Sequence, residues 1–209
     1  MWKKITLAAL LVAIIAYSLP KTAATDSAYA AKIQGGRRAK NQQFRTAATS
    51  PLTAAQKPTF DSLRYFRPDV NFKVEGHLHR NDAATAPIVT LARTDGGTDA
   101  YRVWATTDFT LPGQTQQQRL QLLQKVTPAG PKEPLFLPFA DASNGRDTYA
   151  GGRYLDLPVP EAGAQEIELD FNLAYNPFCV YNPGYSCPLP PAENKMSVVI
   201  EAGEQVFRK

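Results

Sequence analysis

The sequence predicts an all-β chain: a single antiparallel β-barrel or sandwich, with a short N-terminal helix after a signal or anchor segment. Three observations support this. From Leu63 onward, apolar residues recur at every second position over short stretches. Turn-forming groups such as Asp95-Gly96-Gly97 and Pro112-Gly113 separate those stretches. No long run with a helical period interrupts them. At 209 residues, with 44% hydrophobic and 20% charged side chains, the chain is long enough to bury a core, and its 17 prolines call for many loops.

Residues 1–30 have the parts of an export signal. Lys3 and Lys4 precede an apolar run at 5–17, Pro20 ends it, and small residues follow. Thirteen helical residues reach about 20 Å, short of a hydrocarbon core of about 30 Å. The A-x-A site at Ala28-Tyr29-Ala30 lies far from the run and Ala16-Tyr17-Ser18 lies closer, so an uncleaved anchor stays open beside a cleaved signal. Either way the domain is expected outside the cytoplasmic membrane (periplasmic, secreted or tethered), with membrane contact only through the N-terminal segment. No cysteine follows the run, which excludes a lipoprotein anchor.

Residues 31–59 form a basic linker. Arg37, Arg38, Lys40 and Arg45 fall in or next to residues 37–48, which predict a short helix stopped at Ser50-Pro51. These basic side chains read either as a solvated face or as a phosphate or anionic-lipid patch. Formal net charge is +4, but beyond residue 30 there are 20 basic and 18 acidic groups. So even a mixture argues against a nucleic-acid partner.

The β domain is expected over residues 60–209. Residues 70–78 put Val70, Phe72, Val74 and Leu78 on one face and Asn71, Lys73, Glu75 and His77 on the other. Residues 86–93 form a second strand, and 101–111 return with a bulge near Thr106-Thr107. In 117–126, Leu120 and Leu122 alternate with glutamines, as a half-exposed sheet requires. Residues 134–141 align Leu135, Leu137, Phe139 and Asp141; residues 148–157 align Arg153, Leu155 and Leu157. A buried charge is costly unless paired, so Arg153 is expected to meet Asp141 or another carboxylate at one end of the core. Residues 166–174 set Ile167, Leu169, Phe171 and Leu173 against Glu166, Glu168, Asp170 and Asn172. Met196, Val198, Ile200 and Ala202 mark a closing strand. Eight or nine strands suit one barrel or sandwich.

Residues 139–158 (FADASNGRDTYAGGRYLDLP), 170–194 (DFNLAYNPFCVYNPGYSCPLPPAEN) and 198–204 (VVIEAGE) resemble the signature of the bacterial family called domain of unknown function 1684. The resemblance extends to Ser50-Pro51-Leu52 and to residues 60–68 (FDSLRYFRP). It covers most of 37–209, with residues 80–133 matching only in pattern. Phe178 stands where the family pattern has a second proline, and Met196 where leucine is usual. The resemblance implies a shared fold and a shared site, and carries no activity with it.

Cys179 and Cys187 enclose a short loop, and in an oxidising compartment a disulfide is the default, worth about 2.6 kcal/mol by chain entropy. Free buried thiols, or two thiolates on a metal with His77 or His79, are the alternatives. C-x7-C is not a zinc-site spacing, so no metal is assigned. His77 and His79 point the same way from one strand, on its polar face, as exposed histidines or as a weak metal pair.

The densest polar block comprises Asp141, Arg146, Thr148, Tyr149, Arg153, Asp170, Asn172, Asn176, Glu193 and Asn194. It reads in two ways. One is a pocket in which Arg153 and Tyr149 grip an anionic or sugar-like ligand. The other is a hydrogen-bonded plug that satisfies the backbone of the proline-rich loop 175–194. The expected function is a ligand-binding or structural interaction module of the cell envelope, without cofactor, for a small molecule or an envelope protein. The alternative is a hydrolase-like enzyme with Asp170 and Glu193 as acid and base and Arg153 as anion clamp. A third possibility, a split barrel holding a flavin-like cofactor, finds no phosphate cradle in the sequence. No G-x-S-x-G, P-loop, G-x-G-x-x-G or H-E-x-x-H is present. An enzyme needs its side chains converging on an open concavity; a plug needs them buried and bonded to one another.

Overall fold

The structure, a computed structural model, describes residues 20–126 and 133–208. The apolar run at 5–17, its lysines, the cleavage alternative at 16–18 and most of the turn at 128–133 lie outside the described residues. Seven strands form one antiparallel sheet: β1 (Lys73–Arg80), β2 (Ile88–Ala92), β3 (Thr98–Phe109), β4 (Gln118–Lys125), β5 (Leu135–Phe139), β6 (Arg153–Leu157) and β7 (Glu166–Asp170). Their order is β6-β5-β4-β3-β1-β7. The 12-residue β3 carries β2 along its first half and β1 along its second. The sheet curls into a half-barrel. Just beyond β7, Tyr175 bridges antiparallel to Tyr154 of β6, tying the two edges together.

Alternation locates the strands because a period of two sends every second side chain to the core. Leu135, Leu137 and Phe139 are fully buried, as are Leu120 and Leu122. The bulge lies not at Thr106-Thr107 but at Trp104, where Val103 pairs with Leu123 and Ala105 with Leu122. The extra residue reverses the faces. Tyr101, Val103 and Leu123 pack with Leu91 in a small outer cluster, whereas Ala105, Phe109 and Leu122 join the main core.

Two further expectations are corrected. Leu173 is 58% exposed rather than in the core. Asp170 caps a 3₁₀ turn at Phe171–Leu173 by accepting from the Asn172 amide, which ends the alternation. Residues 196–202 form no strand. They run alongside residues 140–142, with Met196 N donating to Ala140 O and Ala142 N to Val198 O. Gly203 then turns the chain at φ +75, so that Glu204 N donates to Ala174 O. A Cβ there would lie 2.6 Å from that carbonyl.

The helix α1 spans Pro20–Thr46, far longer than the expected 37–48, and takes in Ala28-Tyr29-Ala30 and Gly35-Gly36. Residues 21–34 are alanine-rich and free of proline, so propensity favours extension. The two glycines cost about 1 kcal/mol each relative to alanine, which docking offsets. Ile33 and Phe44 are buried, and Phe44 joins Leu52, Leu63 and Tyr181 in a second core. Among the described residues, no helix is long and apolar enough to cross a membrane.

Candidate functional site

The polar block divides into three parts. At its centre Arg153 is fully buried and paired with Asp141 (Nη2–Oδ2 2.8 Å), the meeting expected from the sequence. The guanidinium also donates to Ile200 O (2.9 Å), Ala202 O and Glu204 O (3.2 Å). Alternate carbonyls of an extended segment point to one side, and here one side chain takes all three. Asp141 Oδ1 accepts from Ser143 N and Ile200 N. Burial lowers the Arg153 pKa from its ordinary value, with Asp141 opposing. Only its Nε is left without a partner, and a group so enclosed, with both terminal nitrogens bonded, is closed to a ligand.

The asparagines act as backbone surrogates. Asn194 accepts from Gln121 N (2.7 Å) and donates to Gln121 O (2.9 Å) and Pro138 O (2.8 Å), joining β4 and β5 where the ladder is short. Asn172 exchanges two hydrogen bonds with the Asp69 backbone (2.9 and 2.8 Å). Asn176 donates to Gln205 O and, through its amide, to Glu204. Thr148 bonds Ser143 (2.8 Å). Together these groups make a buried hydrogen-bonded plug, but the backbone it satisfies is chiefly that of Asp69, Gln121, Pro138 and residues 200–205 rather than the expected loop 175–194.

The outlying candidates do not join it. Arg146 is exposed and bonds only its neighbour Asp147 (2.6 Å). Half-buried Tyr149 lies beside Cys179; burial first, then that thiol, raises its pKa. Glu193 is exposed in a groove with β2 and residues 189–195, while Asp170 lies against α1. The acid–base pair therefore shares no concavity, and Arg153 serves neither member. The two cysteines are free, correcting the expected disulfide. Cys187 Sγ accepts from the Cys179 backbone amide (3.4 Å), so this sulfur rests against a peptide group. Burial raises the Cys187 thiol to about 11. His79 bonds Asp108 (2.9 Å) beside His77, and among the described residues no group of three or more ligands is placed to hold a metal.

The open concavity lies elsewhere. A cleft of about 460 Å³ runs between α1 and the end of β7. From α1 come Tyr29, Lys32, Ile33, Gly36, Arg37 and Lys40; facing them are Tyr65, Lys73, Glu168, Asp170, Leu173 and Glu204. Tyr29 Oη donates to Asp170 (2.7 Å), and burial followed by this contact raises its pKa. Arg37 donates to Phe66 O (2.7 Å) and Asn172 O (3.3 Å) and stacks on Tyr65. Glu204, 1% exposed, accepts from Tyr181 Oη and Asn176 N (2.9 Å), with Lys40 Nζ 2.7 Å away. Arg37 Nε and Tyr65 Oη are buried without a protein partner. Of the expected site residues only Asp170 and Asn172 line this cleft. Tyr29 sat in the expected leader and Arg37 and Lys40 in a solvated linker, so hydropathy pointed away from them. Glu204 closes the VVIEAGE motif, the one signal that could have located the floor.

Residues 58–205, well over half of the chain, match the family described as Protein of unknown function (DUF1684). A solution NMR structure of an uncharacterized protein from Haloarcula marismortui is similar, with a TM-score of 0.64 and 36% sequence identity. The similarity covers 84% of this chain and 92% of that chain. No curated protein matches.

Proposed function

This chain belongs to the DUF1684 family, and from that premise we propose that it is a small-molecule-binding module whose site is the cleft between α1 and the end of β7. One observation carries the reading: Tyr65 Oη and Arg37 Nε, on two residues of one cleft, are buried without a protein partner. An unmade buried hydrogen bond costs about 1–3 kcal/mol. A ligand can complete such groups, three of which (with Glu204 Oε1) line this cleft, and a concave volume of this size suits a small organic molecule. Gly36 supports the same reading. It lines the cleft at a helical cost, and a Cβ added there would meet open space. The plug around Arg153 holds the floor in place. The basic start and apolar run at residues 3–17 support an extracytoplasmic location, with that segment as the membrane contact.

The test is native mass spectrometry of the full chain purified from the cells that make it, before and after denaturation. Binding predicts a mass excess that is lost on unfolding. Gly36→Leu should abolish the excess by filling the cleft, while thermal stability holds or rises because leucine suits a helix better. A bare native chain, or an excess that Gly36→Leu leaves untouched, overturns the cleft as the site.

A further inference from the structure

We propose that the cleft selects small organic carboxylates, with the anion held toward Arg37, Lys40 and Tyr65 and an apolar body against Ile33 and Leu173. This rests on the cleft being the binding site, and names what it binds.

The hydrogen-bond balance of the lining is asymmetric. Each carboxylate in it already faces a donor or a cation, although Glu204 Oε1 meets Lys40 as an ion pair without a hydrogen bond. Asp170 accepts from Tyr29 Oη and from the Asn172 amide and side chain. Glu204 accepts from Tyr181 and Asn176 and faces Lys40, and Glu168 pairs with Lys73 at 2.9 Å. Apart from Glu204 Oε1, the spare capacity is on the donor side. Arg37 Nε and the Tyr65 hydroxyl have no partner, the Lys40 ammonium carries three donors at a half-buried position, and Lys32 stands exposed at the rim. Four cations (Lys32, Arg37, Lys40 and Lys73) face three carboxylates (Glu168, Asp170 and Glu204), an excess of one positive charge. A molecule that completes this lining must bring acceptors and one negative charge.

The Arg37 pKa points the same way. Burial lowers it from the ordinary value, and the nearby Tyr65, Tyr29, Glu204 and Asp170 only oppose that effect. The guanidinium is therefore incompletely compensated, and an added anion would recover part of the loss. Burial also raises the Tyr65 phenol, followed by the Glu204 charge, so it stays protonated and able to donate. On the apolar side, Ile33 is buried beneath the cleft and Leu173 is 58% exposed beside it. A body of several carbons gains by covering them.

The test uses matched trios, each one skeleton bearing a carboxylate, a primary amide or an ammonium group. They are titrated into the ¹⁵N-labelled full chain and followed by amide shifts at Tyr29, Gly36, Arg37, Leu173 and Ala174. The carboxylate members should bind at this site about tenfold or more tightly than their amides, as expected for charge-assisted bonds. Lys40→Gln should reduce that preference several-fold. Cleft binding in which amide or ammonium members equal the carboxylates overturns the anion assignment and leaves the binding site standing. No shift at the cleft from any trio overturns both.

Discussion

Arg153 shows how one residue can decide a fold locally. Its guanidinium stands in for a neighbouring strand along residues 200–204, holding Ile200, Ala202 and Glu204 through their carbonyls. Removing one partner of a buried pair leaves the other charge exposed to low dielectric, at a cost of about 3–5 kcal/mol. Arg153→Met is therefore expected to lower the urea midpoint by that equivalent at neutral pH. A change under about 1 kcal/mol would show that the carbonyls find other donors. Asp108 gives the opposite case, an ion cluster on the outer face of the sheet. Arg119 chelates it (2.6 and 2.6 Å), His79 adds a third contact, and chiefly the Arg119 bonds hold its pKa down to about 2 from 3.8. A depressed carboxylate stabilises the fold above its unfolded pKa. That contribution is lost as pH falls from about 4 through about 2. Arg119→Gln should move the Asp108 midpoint up by about one unit and flatten the acid limb of stability in that window. Carboxyl NMR titration checks this, and an unmoved midpoint would leave burial and His79 as the determinants.

Among the elements, the weakest seam in the sheet is the β4–β5 junction, whose ladder holds a single matched pair, Leu123 with Phe136. Asn194 supplies three further bonds there, to both backbone groups of Gln121 and to Pro138 O. Asn194→Ala leaves three backbone groups unpaired, and at about 1–3 kcal/mol for each group not reached by water the expected loss is about 2–4 kcal/mol. Hydrogen exchange should place the loss at β4 and β5; a loss spread evenly over the sheet would deny the asparagine its role as a seam. Asn194 also marks the limit of what periodicity can read. Strand cores such as Leu135, Leu137 and Phe139 were legible because alternation is set by the backbone. The Asp141–Arg153 contact was legible because two charges fell on apolar faces. Three features were not. Trp104 reverses the faces of β3 without changing its parity, Asp170 converts an apparent strand into a 3₁₀ turn, and residues 196–202 alternate without forming a strand. In each, a local hydrogen bond or an extra residue overrides a pattern that counts only hydropathy. The cleft was missed for a related reason. It needs α1 against the domain, and the helix carries its docking residues, Tyr29, Arg37 and Lys40, among sequence that reads as leader and linker.

At the scale of the whole molecule, the chain has two kinds of interface. The main core is built chiefly of apolar side chains, from Leu120, Leu122 and Phe139 to Ile200, with the Arg153–Asp141 pair at its edge. The α1 interface leans instead on polar contacts (Tyr29 with Asp170, Arg37 with Phe66 and Asn172, Lys40 with Glu204, Asn41 with Leu63 N, Arg45 with Asp61 O), and among its described side chains Ile33 and Phe44 are the buried apolar ones. The helix also lies outside the stretch 58–205 that matches the family. Polar contacts at a partly wet surface contribute less than the same area of packed hydrocarbon, and salt weakens them. So α1 should open locally while the sheet stays closed, with an opening free energy at least about 2 kcal/mol below that of β3 and β4. Native-state hydrogen exchange over residues 30–44 measures this directly. Tyr29→Phe removes the donor to Asp170 and should lower α1 protection without altering the sheet, and salt near 1 M, where the Debye length is about 3 Å, should do the same. Equal protection in helix and sheet, unmoved by either change, would make α1 an integral layer of the core. The cleft would then be a fixed cavity that a ligand enters without displacing the helix, and Gly36→Leu would be the only simple way to close it.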